Sequence, residues 1–132
     1  MSELINASGL APAVGFSHAV RDGRTVYLAG QTALSAQGEI TGATIAEQFD
    51  VAAGNLVAAL GAAGGEPEHL VSLQVFVTDV SEYKRSLREL GAVWRRRFGR
   101  RYPAMGLFGV TELFDAAAKV ELMGVAVLPS ER

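Results

Sequence analysis

The chain has 132 residues, 49% of them hydrophobic and 20% charged, with a formal net charge of −2. That is close to the commonest size for one domain, so a single domain over 1–132 is expected, and roughly two-thirds of its unfolded surface can be buried without disulfide or metal. The absence of cysteine removes disulfide scaffolds, thiolate metal sites and cysteine nucleophiles, and the small net charge removes any global attraction to nucleic acid.

Met1-Ser2-Glu3-Leu4 lacks the basic and then apolar run of a secretory signal, and no stretch approaches the roughly 18–20 apolar residues of a membrane span. Cytoplasm is therefore the expected location, with no membrane partner. Asp22-Gly23 stands between 16–20 and 25–29, two short runs of strand formers, and reads as a hairpin turn. Gln37-Gly38 marks a second turn before Glu39-Ile40. Gly30-Gln31 then lies just past the second strand, where a chain leaving a sheet can show backbone groups to a ligand.

Thr44-Ile45-Ala46-Glu47 has the capping-box pattern, and Ile45, Phe49, Ala52, Ala53, Leu56 and Leu60 follow at helical spacing. Gly64-Gly65 stops this helix and Pro67 reinforces the break. The run 70–77 predicts a strand with Val71, Leu73, Val75 and Val77 on one face. Asp79 or Ser81 caps a second helix whose apolar stripe is Tyr83, Leu87, Leu90, Trp94 and Phe98, ended by Pro103. The runs 105–110 and 119–127 predict two final strands joined by a loop around 112–117. The order is strand, strand, helix, strand, helix, strand, strand. It predicts an α+β fold, a mixed sheet with both helices on one face. Apolar residues on both sides of the strands imply that the other face is covered too, most simply by another subunit.

Few isolated residues suggest chemistry. His18 and His69 have no partner at metal-ligand spacing, so no metal is expected, and His18 reads as a hydrogen-bonded strand histidine. Ser17 and Ser35 lack a base nearby in sequence, and Gly61, Gly64 and Gly65 form no phosphate loop. Arg95-Arg96-Arg97 with Arg100-Arg101 places five of the twelve basic residues in seven positions. Cations at a helix C-terminus complement the macrodipole, and three consecutive helical residues point in different directions, which makes a poor phosphate-tracking stripe.

Four stretches, taken together and in order, resemble the RidA/YjgF (Rid) family of small imine-processing proteins. They are Gly15-Phe16-Ser17-His18-Ala19-Val20, Val26-Tyr27-Leu28-Ala29-Gly30-Gln31, Leu73-Gln74-Val75-Phe76-Val77-Thr78-Asp79, and Tyr102-Pro103-Ala104 with Val120-Glu121-Leu122-Met123-Gly124-Val125-Ala126-Val127. The resemblance implies a chorismate mutase-like homotrimer with ligand clefts between subunits, no cofactor, and hydrolysis of enamines or imines to ammonia and a carbonyl product. A protonated imine carbon is electrophilic, so a site of this kind needs only to position substrate and water and to move a proton. Glu121 matches the family's glutamate in the last strand and would move that proton; without the resemblance it reads as a solvated or edge-paired carboxylate. Gly30, with Gln31 beside it, and Leu107 match positions that offer backbone groups. Phe16 stands where the family usually has a tyrosine.

One position departs from the deaminating branch more sharply. That branch carries an arginine directly after Pro-Ala, which forks the substrate carboxylate; here the residue is Met105. Two charge-assisted hydrogen bonds are lost with it, on the order of 10²–10⁴ in affinity or rate for a carboxylate substrate. A divergent member is therefore expected, with an apolar cleft wall of Phe16 and Met105 and a substrate other than 2-aminoacrylate. Arg88 falls where that branch tends to carry an asparagine; it either restores a positive charge to the cleft or is a solvated arginine on the outer helix face. A small molecule is the expected partner, not nucleic acid. A non-catalytic ligand-binding or chaperone-like trimer, and RNA binding or cleavage through the arginine cluster, are the alternatives.

Overall fold

The capping box at Thr44 starts α1 (Ile45–Ala62) as its pattern requires. Thr44 Oγ1 accepts from the Glu47 N–H at 3.1 Å, while Glu47 Oε1 accepts from the N–H groups of Thr44 at 3.0 Å and Ala43 at 2.9 Å. These bonds to the ionised form, Ala43's foremost, hold the Glu47 carboxyl below its ordinary value. In the computed structural model, which describes residues 2–130, α1 lies on a six-stranded sheet. Met1, Glu131 and Arg132, the ends of the expected domain, lie outside the described residues.

The strands are β1 (Ser2–Ile5), β2 (Ala19–Asp22), β3 (Thr25–Gln31), β4 (Leu70–Val77), β5 (Ala104–Gly109) and β6 (Val120–Val127). Their spatial order is β1-β2-β3-β6-β4-β5, antiparallel throughout except for the parallel pair β4–β5. Two further helices, α2 (Val80–Arg85) and α3 (Leu87–Phe98), form the β4–β5 crossover. The mixed α+β fold with its long helices on one face is the one expected. Val26, Leu73, Val77, Val120 and Leu122 project from the sheet into the core, meeting Phe49, Ala52, Ala53 and Leu56 of α1. Burying each large side chain of this kind contributes about 1.5–3 kcal/mol. No helix among the described residues is long and apolar enough to cross a membrane.

Several boundaries differ from the expected ones, each for a local reason. The first expected strand, 16–20, is a loop up to His18, with β2 starting at Ala19. His18 is buried rather than paired along a strand at its ring: Nδ1 accepts from the Ala7 N–H at 3.0 Å and Nε2 donates to the Ala11 carbonyl at 3.0 Å. Asn6 Oδ1 accepts the His18 N–H at 3.0 Å, so the N-terminal segment wraps this imidazole. That wrapping delivers Ser2–Ile5 to the edge of β2 as β1, a strand its four polar-to-apolar residues do not announce. The hairpin loop is Gly23-Arg24, since Asp22 pairs with Thr25.

In β4 a register shift between Leu70 and Ser72 turns Leu70 inward and leaves Val71 45% exposed, so Val71 leaves the face shared by Leu73, Val75 and Val77. The second expected helix is two. Asp79 Oδ1 caps α2 by accepting from the Glu82 N–H at 3.0 Å, and Ser86, at φ −108° and ψ 14°, breaks the run before α3. Leu87 consequently drops out of the buried stripe and is exposed, while Leu90, Val93, Trp94 and Phe98 stay buried. The helix ends at Gly99, four residues before Pro103, because Gly99 takes a φ of +82° that glycine adopts without strain.

Candidate functional site

The open face of the sheet, opposite the helices, begins at the seam between β3 and β6. Leu28 pairs with Gly124 and Gln31 with Leu122, so three steps along β3 answer two along β6: a bulge at Ala29–Gly30. Glu121 lies against this bulge. Its neighbours in sequence, Val120 and Leu122, are fully buried on the helix side, so the alternation of the strand sends Glu121 to the open face. A Cβ on Gly30 would collide with Glu121 Oε2 and stand 2.8 Å from its Cδ, so the carboxylate rests where residue 30 has no side chain. Burial pushes the Glu121 carboxyl above its ordinary value. Among the described residues no hydrogen bond or ion pair reaches it.

Two polar residues of α1, seven apart and therefore on one helix face, hold the segments that flank this seam. Buried Gln48 accepts the Lys119 N–H on Oε1 at 2.8 Å and donates through Nε2 to the carbonyls of Gly42 and Ala117, both at 3.1 Å. Asn55 Nδ2 donates to the carbonyls of Thr32 at 3.0 Å and Leu34 at 2.9 Å. Gln48 thus sets where β6 begins, two residues before Glu121, and Asn55 sets where β3 ends, just after Gln31. Sequence reasoning missed both. Their signal was two polar side chains flanking the apolar stripe of α1 at a two-turn interval.

The open face continues away from Glu121 as an aromatic floor. Phe76 of β4 pairs with Glu121 across the ladder and stacks on Phe108 of β5, 5.5 Å between ring centroids. Tyr27, Phe108 and Met123 are 53%, 48% and 39% exposed, a run of apolar surface that no described element covers. Phe16, half-exposed in the loop before β2, meets the His18 ring edge-on at 6.1 Å. The His18 carbonyl accepts from the Ala29 N–H at 3.0 Å, which puts Phe16 two residues from the backbone that pairs beside Gly30; Gln31 is buried.

Arg88, Met105 and Leu107 form a separate group. β5 is the sheet edge, two strands from β6 and three from β3, about 10 and 14 Å away at ordinary strand spacing. Met105 and Leu107 pair with Leu73 and Val75, residues of the helix-side face, so they look away from Glu121. Met105 lines a hollow of about 140 Å³ with Tyr83, Leu87, Leu90 and Tyr102. Burial pushes the Tyr83 phenol up. Tyr102 stacks nearly parallel on Trp94, at 5.3 Å and 9°, and also bounds a second hollow of about 220 Å³ toward Leu70 and Ala104. Arg88 is exposed near the start of α3 and among the described residues makes no side-chain hydrogen bond or ion pair. Within one chain, therefore, Phe16 and Met105 do not share a wall. The seven expected residues fall into a β3–β6 group and a β5-edge group.

The arginine cluster is largely engaged in packing. Arg97 Nε donates to Asp50 Oδ1 at 2.7 Å, and Arg96 Nη2 lies 3.0 Å from Asp50 Oδ2. Burial alone would raise the Asp50 carboxyl, but the hydrogen bonds and charges of Arg97 and Arg96 outweigh it and hold it below its ordinary value. Arg101 Nη1 donates to the Glu68 carbonyl at 3.0 Å. Three of the five arginines thus tie α3 and its end to neighbouring elements, which does not favour an RNA surface.

Residues 6–128 match the family model described as Endoribonuclease L-PSP. The chain is 27% identical to the 2-iminobutanoate/2-iminopropanoate deaminase of Bos taurus over 127 residues, 95% of this chain and 89% of that one. It is 33% identical to the mitochondrial protein mmf2 of Schizosaccharomyces pombe over 79 residues, 60% of this chain and only 62% of that relative's length. Among solved structures, E. coli TdcF with bound serine superposes with a TM-score of 0.85 at 25% identity, covering 96% of this chain and 99% of that one.

Proposed function

Because this chain belongs to the Endoribonuclease L-PSP (YjgF/Rid) family, we propose that it hydrolyses the C=N bond of a small imine or enamine other than 2-aminoacrylate. The observation that carries this reading is the Glu121 carboxylate, half-buried, without a donor and held above its ordinary value by burial. A carboxyl raised by burial is a stronger proton acceptor than an ordinary solvated one, and its protonated form can hand the proton back. It takes a proton from water as the water oxygen attacks the imine carbon and the C=N electron pair moves to nitrogen. It then returns that proton to the carbinolamine nitrogen; as the C–N bond breaks and ammonia leaves, the oxygen pair closes the carbonyl, Glu121 takes the hydroxyl proton, and the proton the protonated imine brought is released to solvent. The similarity to the bovine 2-iminobutanoate/2-iminopropanoate deaminase and the serine bound in E. coli TdcF support a small nitrogen-bearing substrate.

The site is completed by a second copy of the chain, in a homotrimer. Two observations support this: the uncovered apolar face of Tyr27, Phe108 and Met123, and the separation of Arg88, Met105 and Leu107 from Glu121 within one chain. A neighbour's β5 edge laid over the Glu121 seam would unite the two groups, with Gly30 and Leu107 offering backbone contacts and Phe16 and Met105 an apolar wall. Met105 has no charge with which to fork a carboxylate, so the preferred substrate carries a neutral or aromatic group there. The reaction draws on no cofactor, and we place it in the cytoplasm.

Ammonia release from matched imines with and without a carboxylate, by the wild type and Glu121→Gln, tests the reading. Turnover of the carboxylate-free imine that disappears in Glu121→Gln is expected. An idle wild type on every imine sinks it, and a monomeric mass in solution sinks the shared cleft.

A further inference from the structure

We propose that Gly30 is the positioning residue of this site, its missing side chain forming the socket in which the Glu121 carboxylate rests. The inference rests on the reading of Glu121 as the proton-transfer group, but its geometry stands independently. Gly30 is not among the glycines with positive φ, so its backbone would accept alanine. What excludes a side chain is Glu121: a Cβ would collide with Oε2 and lie 2.8 Å from Cδ and 3.2 Å from Cγ. A role in which Gly30 offers only backbone groups to a ligand would tolerate alanine. A socket would not.

The strands cannot slide to relieve such a collision. Gln48 holds the Lys119 N–H at 2.8 Å on one side, and Asn55 holds the Thr32 and Leu34 carbonyls on the other. The side chain of Glu121 must swing instead, out of the seam and toward water. Among the described residues no charged group is placed to catch it. The open-face neighbours on β6 and β4 are Met123, Gln74 and Phe76, and the titratable group on β3 is Tyr27. Lys119 is committed to Glu82 at 3.0 Å, and the His18 ring is bonded on both nitrogens to the N-terminal segment. The bulge, the missing Cβ and the two amide anchors together fix one place for the carboxylate.

Gly30→Ala tests this with two readouts. The first is the titration of the Glu121 carboxyl, followed by carbon-13 NMR in wild type and variant. It is expected to fall toward its ordinary value as the group becomes solvated, while kcat drops about 100-fold with KM little changed, the scale of an ångström's misplacement. An unchanged titration in a folded Gly30→Ala protein overturns the socket, whatever happens to turnover. A wild type inactive on every imine defeats the proposed function and leaves the titration to decide the socket. The second readout is a double-mutant cycle, which serves even where Gly30→Ala is unstable. In a Glu121→Ala background the added methyl has nothing to meet, so Gly30→Ala is expected to leave the melting temperature unchanged or raise it. An equal loss in both backgrounds would make the glycine a purely backbone requirement and overturn the proposal.

Discussion

The two groups of the candidate site are built by opposite means. At the β3–β6 seam every backbone segment is anchored: Gln48 and Asn55 reach from α1 to hold its flanks, and the bulge at Gly30 opens one socket for one carboxylate. At the β5 edge no comparable polar anchors among the described residues hold Met105 and Leu107. Met105 and Tyr102 line a hollow with Tyr83, Leu87 and Leu90, Leu107 is partly exposed on the strand beyond, and Arg88 faces solvent. A proton-transfer group has to be positioned to a fraction of an ångström, so its surroundings are over-determined. An apolar wall sorts ligands by shape and tolerates looser construction. In the proposed reaction the seam would carry the chemistry and the edge the choice of substrate.

The largest effect is expected at the seam. Glu121→Gln should lower imine turnover by about 10²–10⁴-fold, the usual worth of a positioned acid–base group, with an unchanged circular dichroism spectrum. A loss under tenfold would move the chemistry elsewhere. At the edge, Met105→Arg should raise turnover of carboxylate-bearing imines by roughly 10²-fold relative to neutral ones, one fork's worth of charge-assisted hydrogen bonds. Equal gains on both imines would mean that the edge does not meet the substrate.

The anchors should register in stability. Gln48→Leu leaves the Lys119 N–H and the Gly42 and Ala117 carbonyls without their partner, a loss of about 3 kcal/mol that thermal unfolding would show as a drop of about 10 °C. Thr44→Ala removes only a cap and should cost about 1 kcal/mol in a denaturant titration. The smallest effect is a pH dependence. The Glu121 carboxyl is raised on folding, so its stabilising contribution is present below its ordinary value of 4.5 and is lost as pH rises through the raised one. Denaturation midpoints of Glu121→Gln relative to wild type should therefore increase from pH 4 to pH 8. A flat difference would show that burial does not disfavour the charged form.

Much of the frame was legible in the residues because it follows from local chemistry. The capping box at Thr44, the stripe of α1, the alternation along β6 and the turn at Gln37-Gly38 each rest on spacing within a few residues. The four motif stretches placed Glu121 and Gly30 in one family pattern. Less legible were features decided by contacts between distant segments. Ser2–Ile5 becomes a strand because the buried His18 ring pulls residues 6–11 around it. Val71 turns outward because β4 slips one residue against β6. Gln48 and Asn55 read as ordinary helix polar residues until the carbonyls they bind are brought to them from up to 69 residues away.

The sequence by itself determined the domain's class, its helices and strands in nearly their final order, and the residue types available for chemistry, because hydrophobic period, caps and turn residues act over short range. Only the tertiary structure decided which of those residues share a site. Glu121 meets Gly30 across two strands, 91 residues apart in the chain, and Met105 looks to the opposite face, because sheet order and pleat direction are properties of the assembled sheet rather than of any one strand.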